Sequence, residues 1–513
     1  MLRGSVLGAL YRCWLGSRVF AWMQWVWLHV SRAARGCQIR HFIFGPSPLE
    51  RFYAGSCFAR LLRLPADGLI ALFRLLVRWS RGSAVCTRLA PVVRASRLLR
   101  YEIVFGLFCC LMFIVPHSAW NNFWAVIAAA VFLLLHLLRR GAGLARPSPT
   151  GLLGFGFALF VLSFPLSMLF TVSRLDSTRI LVLFLAGFAF CWLIASGFDD
   201  PASLRRLMGF LYISLLAVSV YGIFQRLLGD VEVDTAFTDM RINQGVPGRI
   251  YATLDNPNNL SGFIQLFLPL SAAYASGTKG FWRRDLLALG LVFPAAALIM
   301  TYSRAGWISV MLAAAVYVYF REKRLLPALV VLVLLAVPLL PDSVMTRLDT
   351  ITNSQDSSRN HRLATWEGVV KLLRHKGYWL TGIGLGPEAF QTVYPDYAAP
   401  GAESGAYQSQ MLYLELDLEL GILGFVSFLW MCLKYAGRIG RAIAAGGGGP
   451  ENRLILAAGL STFAALTVSS CVEYLWFYQR LIFAYFIWFG VIVAALRVAE
   501  RSAGISEEDM PHA

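Results

Sequence analysis

From Tyr101 to Val498 the chain is a succession of apolar runs, many of them close to the length that crosses a bilayer as a helix. No other feature narrows the fold as much. With 58% of residues hydrophobic and only 15% charged, a water-soluble protein could not bury the apolar fraction. The expected fold class is an all-α polytopic membrane protein. The runs fall at about 101–118, 121–138, 151–171, 179–197, 205–228, 258–276, 285–303, 304–320, 325–341, 412–435, 453–474 and 480–498. They give about twelve transmembrane helices, with the tightest joint at Ser303-Arg304.

Charge sets the orientation. Residues 1–100 hold sixteen Arg, no Lys and two acidic residues, Glu50 and Asp67, so most of the net charge of +17 lies there. The Arg residues alternate with Leu, Phe and Trp, a pattern for the membrane surface rather than for nucleic acid. Between Leu61 and Arg81 they recur mainly every three or four residues, as on a helix lying in the headgroup layer. By the positive-inside rule this region is cytoplasmic, and so is every second loop: Arg139-Arg140, Arg205-Arg206, Lys279 with Arg283-Arg284, Arg321 with Lys323-Arg324, and Lys434 with Arg438 and Arg441. The opposite set includes a loop with Asp230, Glu232, Asp234 and Asp239, and the long, nearly neutral interval 342–411. Both termini are then cytoplasmic. The domain plan is a basic surface region 1–100, transmembrane helices 1–9 over 101–341, a large extracytoplasmic loop over 342–411, helices 10–12 over 412–498, and a tail from 499 to 513. The nine Cys form no CxxC pair and read as small apolar residues.

The polar residues worth attention lie at the outward ends. Arg249-Ile-Tyr-Ala-Thr-Leu-Asp-Asn-Pro-Asn-Asn leads into the sixth run, where Asn258 or Asn259 suits an N-cap. Thr301-Tyr302-Ser303-Arg304 joins two runs, and an Arg fork there can take two phosphate oxygens at once. Within 342–411, Ser358-Arg359-Asn360-His361-Arg362 opens an amphipathic helix with Trp366, Val369, Val370 and Leu373 on one face. Then follows GIGLG at 382–386, read as a flexible turn before Pro387, since no strand-and-crossover unit surrounds it. The tenth run carries Tyr413, Glu415, Asp417 and Glu419; acids inside a span are costly enough to suggest function. No metal-ligand constellation is present, and no cofactor is expected.

The order of these motifs resembles the O-antigen ligase and polymerase-related membrane family, which also holds proteins labelled as bicarbonate transporters. The resemblance runs over roughly residues 150–490. It is carried by RIYATLDNPNNLSGFIQLFLPL, LIMTYSRAGW, Arg362 to Trp366, GIGLGPEAF and LYLELDLELGILG. It implies a metal-independent glycan transferase of a bacterial cytoplasmic membrane. Such enzymes move a glycan from an undecaprenyl-diphosphate carrier to an acceptor, inverting the anomeric carbon. The family's diphosphate-binding arginines correspond to Arg304 and Arg362, with Arg249, Arg359 and Tyr413 as further substrate-binding candidates. One position departs from the family. Ligases carry His-Asn-x-Tyr-Leu where this chain has Gln410-Met411-Leu412-Tyr413-Leu414. An amide can position a hydroxyl but cannot act as a base near neutral pH. The catalytic candidates are therefore Gln410, Glu415 and Glu419, with Glu367 and Glu403 as carboxylates from the loop. The alternative is a transporter of a small anion such as bicarbonate, or an inactive member. The expected partners are a lipid-linked glycan donor, a glycan or lipid acceptor and membrane lipids, with no nucleic acid.

Overall fold

The computed structural model describes residues 101–141, 153–198, 200–229, 247–349, 357–399 and 406–503, with scattered positions before residue 101. Nearly all of the basic region 1–100, the loop acids from Asp230 to Asp239, Glu403 and residues 504–513 lie outside the described residues. Among the described residues the chain is all-α, with no strand. Among them six helices are long and apolar enough to cross a membrane. They are Phe123–Gly141, Arg174–Gly197, Pro201–Leu227, Leu412–Ala444, Pro450–Ser469 and Gln479–Ser502, joined by the shorter apolar helices Tyr101–Ile114 and Gly154–Ser167. A backbone in hydrocarbon must satisfy its own polar groups, which is why these runs are helical.

In chain order the helices are α1 (Tyr101–Ile114), α2 (Phe123–Gly141), α3 (Gly154–Ser167), α4 (Arg174–Gly197), α5 (Pro201–Leu227), α6 (Pro257–Ser276), α7 (Phe281–Gly290), α8 (Val292–Met300) and α9 (Arg304–Glu322). Then come α10 (Leu326–Ala336), α11 (Asp342–Asp349), α12 (Ser357–Lys376), α13 (Tyr378–Thr381), α14 (Pro387–Val393), α15 (Leu412–Ala444), α16 (Pro450–Ser469) and α17 (Gln479–Ser502). The last helix is the axis of the bundle: almost every residue from Arg480 to Glu500 is buried. α4 packs along it through small residues. A Cβ on Gly490 would lie 2.9 Å from the Cys191 carbonyl oxygen, and one on Gly187 2.8 Å from the Phe486 ring. Without a water-driven hydrophobic force between helices in lipid, such close backbone approach supplies the dispersion that holds them together.

Several expectations change in detail. The run read as 285–303 is two helices, α7 and α8, broken at Leu291. Pro294 has no N–H to give the carbonyl four residues back, and the Tyr212 hydroxyl donates to the Leu287 carbonyl beside the break (2.9 Å). The tenth run is not one regular helix: Gly421 is non-helical, with φ 67° and ψ −175°. Among the described residues of the long interval 342–411 most are helical, and they build a small core of their own. Val369, Leu372 and Leu373 of α12 pack there with Ile383, Phe390, Tyr394 and Leu418 of α15. This cap sits on the end of the bundle where α15 begins.

The GIGLG stretch, expected as a flexible turn, is a strap pinned to the break in α15. The Ile383 N–H donates to the Leu418 carbonyl (2.8 Å), the Gly384 N–H to the Glu419 carbonyl (3.3 Å), and the Val172 N–H to the Ile383 carbonyl (3.0 Å). The non-helical residue at 421 leaves carbonyls of the preceding turn unclaimed within the helix, and the strap takes them. Gly382 and Gly421 face one another so closely that a Cβ on either would meet the other's backbone nitrogen at 2.9 Å.

Candidate functional site

At the end of the bundle under the cap, arginines arrive from separate segments. Arg249 is 8% exposed and ties two of them together. Its Nε donates to the Thr301 carbonyl (2.7 Å) and its Nη2 to Asn258 Oδ1 (2.8 Å). The Asn-Pro-Asn-Asn segment is thereby fixed to the turn that precedes α9. The N-cap of α6 is Asn256 rather than Asn258 or Asn259; its side chain accepts from the Asn258 N–H (2.8 Å). Pro257 then takes the first helical position, where a missing N–H costs nothing. Asn258 is left to receive Arg249, and Asn259 donates to the Leu254 carbonyl (3.0 Å).

Arg304 opens α9, capped by Ser303. A cation at a helix N-terminus opposes the helix dipole, so the local field favours an anion. Arg347 of α11 is buried and its Nε donates to the Tyr302 carbonyl (3.4 Å), while Tyr302 and Ser343 share a hydroxyl contact (3.0 Å). Arg362 of α12 makes the central junction. Its Nε donates to Gln410 Oε1 (2.8 Å) and its Nη2 to Glu473 Oε1 (2.9 Å), on the stretch that follows α16.

The charges act on one another. Burial, followed by the Arg347 charge, pulls Arg249 down to about 9, with Arg362 and Arg304 adding to the effect and Glu473 opposing it. Burial raises the Glu473 carboxyl above its ordinary range, against the pull of Arg362, Arg249 and Arg304. A cluster that disfavours its own positive charge is relieved by an anion.

Backbone strain collects in the same place. Among the described residues the non-glycine positions with positive φ are Ala252, Asp255, Tyr302 and Gln410. Ala252 and Asp255 follow Arg249, Tyr302 precedes Arg304, and Gln410 accepts from Arg362. Each such conformation costs about 1–3 kcal/mol and persists where the surroundings over-determine it.

Two acids of α15, Glu415 and Glu419, hold this geometry. Glu415, 2% exposed, accepts the Ser409 N–H (2.6 Å) and so fixes the turn that presents Gln410. The Trp366 indole donates to the Ser409 carbonyl (2.8 Å) from the cap side. Glu419, 4% exposed, accepts the Gly386 N–H (2.9 Å) and the Tyr474 hydroxyl (2.8 Å), locking strap, break and α16 exit together. Tyr413 points at α16, donating to the Thr467 carbonyl (3.2 Å). Arg359 is exposed at the start of α12. Glu367 lies on an exposed face and pairs with Lys371 (2.7 Å). Among the described residues no three His, Cys, Asp or Glu side chains gather as a metal would require.

The structure thus brings Arg249, Arg304, Arg362 and Gln410 together. It adds two residues that the sequence reading passed over. Arg347 lies in a short amphipathic helix and reads as surface. Glu473 ends an apolar run, and an acid there was the available signal.

A comparison with curated proteins finds no match. Residues 289–429 run from the end of α7 through the Arg304 turn, α11, the cap and the break at Gly421, and they match the family model described as O-antigen ligase.

Proposed function

We propose that this protein is a membrane glycan transferase of the O-antigen ligase type, moving a glycan from an isoprenoid-diphosphate carrier to a cell-surface acceptor. The observation that carries the reading is the convergence of Arg249, Arg304, Arg347 and Arg362 at one end of the bundle. Transfer breaks the anomeric carbon–oxygen bond to the diphosphate, and the electron pair leaves on the phosphate oxygen. Preorganised guanidiniums in a partly dry site meet that charge as it develops. In this reading Arg304 and Arg362 hold the diphosphate, Arg249, Arg347 and Arg359 add to the field, and Gln410 positions Arg362. Glu415 and Glu419 act as positioning residues for the turn at Ser409 and for the strap, and Tyr413 holds the start of α15 against α16.

The membrane arrangement belongs to the same proposal. About twelve crossings place the arginine end and the cap outside the cytoplasmic membrane, with both termini inside. Residues 1–100 lie on the anionic inner surface. Single-cysteine reporters in a cysteine-free background check the orientation. An impermeant thiol reagent on intact cells should label position 354 and spare position 447; labelling of both would overturn it.

The transferase reading is tested by purifying the full chain and supplying an isoprenoid-diphosphate glycan with candidate acceptors. Cells lacking the protein should accumulate the lipid-linked glycan. Absence of both transfer and accumulation, together with loss of bicarbonate uptake in those cells, would establish the small-anion transporter instead.

A further inference from the structure

Glycan transfer to a hydroxyl needs a group to take the hydroxyl proton, and Gln410 cannot supply it. This inference rests on the transferase reading above. Four described carboxylates near the site can be sorted by what they already hold. Glu415 is buried and spends an oxygen on the Ser409 N–H at 2.6 Å. Glu419 is buried and accepts from both Gly386 and Tyr474. Glu367 faces away, paired with Lys371. Glu473 differs from all three. It acts on Arg249, and it keeps 16% of its side chain exposed beside Arg362 at 19%.

Its position is as telling as its exposure. One guanidinium, that of Arg362, bonds Gln410 Oε1 through Nε and Glu473 Oε1 through Nη2. The two acceptor oxygens therefore stand side by side, a single planar fork apart. The stretch that carries Glu473 is itself anchored: the Glu473 N–H donates to the Ser469 carbonyl (2.8 Å), and the neighbouring Tyr474 hydroxyl is fixed on Glu419.

We propose that Glu473 is the proton acceptor of the transfer, doing from the exit of α16 what Gln410 cannot do from the entrance of α15. The acceptor hydroxyl gives its proton to a Glu473 oxygen while its own oxygen forms the bond to the anomeric carbon. The bond from that carbon to the diphosphate oxygen breaks, and the electron pair leaves on the diphosphate. Arg362 turns from Glu473 to the incoming phosphate when the donor binds, which releases the carboxylate for the hydroxyl. The proton then passes to water. Burial supports the assignment, since it moves this carboxyl upward from its ordinary range while Arg362, Arg249 and Arg304 pull it back. A carboxylate that holds a proton more tightly than usual is the stronger base.

The test is steady-state transfer by the purified full-length protein with a lipid-diphosphate glycan and its acceptor, across pH. Glu473→Gln keeps the shape and an oxygen for Arg362 but removes the base. It should lower kcat by about a hundredfold or more, leave the donor KM within about threefold, and abolish the fall in rate on the acid side. Adding Gln410→His to that variant should recover about tenfold, because an imidazole then stands beside the same guanidinium. Glu473→Asp, which keeps the charge but withdraws the oxygen, should be slower by about tenfold and retain the acid limb; it also serves if the amide variant fails to insert. A Glu473→Gln enzyme with the parental rate and pH profile would overturn the proposal and leave the transferase reading standing. So would a loss confined to donor KM with no rescue by Gln410→His, which marks Glu473 as a holder of Arg362. A parental protein that transfers nothing would remove the transferase reading and this proposal with it.

Discussion

The two ends of the helix bundle are both rich in arginine, and they use it in opposite ways. At the end away from the cap, several guanidiniums meet acid or carbonyl partners of their own. Arg205 donates to Glu451 (3.2 Å), the Gly277 carbonyl and Thr278. Arg206 meets Glu102 at 2.7 Å, and Arg438 meets Glu500 at 2.8 Å in a buried pair. At the cap end the guanidiniums of Arg249, Arg304, Arg347 and Arg362 act on one another, and their backbone surroundings are strained. Counting arginines therefore does not separate the two ends. Convergence does, because like charges brought together cost free energy that an anionic ligand would offset.

The largest expected effect breaks the paired end. Glu500→Ala takes the carboxylate from a buried guanidinium and should destabilise the protein by about 3–5 kcal/mol, read as a lower melting temperature in detergent. The protein that survives should bind and transfer with unchanged donor KM. A selective loss of donor affinity would erase the distinction between the two ends.

Next in size are Arg362→Lys and Arg304→Lys. Each keeps the charge but loses the fork, and each should reduce transfer by about a hundredfold, close to 3 kcal/mol, at normal membrane levels. Parental rates in both variants would remove the diphosphate assignment.

A smaller effect tests the strap. Gly382 has φ 75°, and a Cβ there would run into the Glu419 carbonyl. Gly382→Ala should cost about 1–3 kcal/mol of thermal stability by lifting the strap from the break in α15. An unchanged melt would show that the strap does not fix the break.

The smallest change is the control at the paired end. Arg205→Lys keeps a partly exposed ion pair with Glu451 and should shift stability by less than about 1 kcal/mol and transfer by less than about twofold. A hundredfold loss there would mean that arginine matters at both ends alike.

How much of this was legible along the chain depends on how local each feature is. Arg304 and Arg362 sit inside short motifs, so neighbouring residues pointed to them. The small core of α12 was legible too: Val369 and Leu373 lie where the amphipathic spacing put them. The break at Gly421 was not, because a glycine in an apolar run reads as an ordinary helix residue until another backbone is seen against it. GIGLG suggested flexibility for the same reason. Its glycines serve close approach to α15 and α4, and that approach is a property of the assembled bundle.

By itself the sequence determined that this chain is a succession of apolar, membrane-length helical runs with a long polar-containing interval before α15. Apolar content and run length are additive along the chain and need no partner to be read. The tertiary structure decided which charges share a space. Arg362 reaches Gln410 and Glu473 from distant parts of the chain, and Glu415 and Glu419 are spent on backbone N–H groups, with Glu419 also holding the Tyr474 hydroxyl. Hydrogen bonds and charge interactions fall off over a few ångströms, so their pairing is fixed only when the segments that carry them have packed.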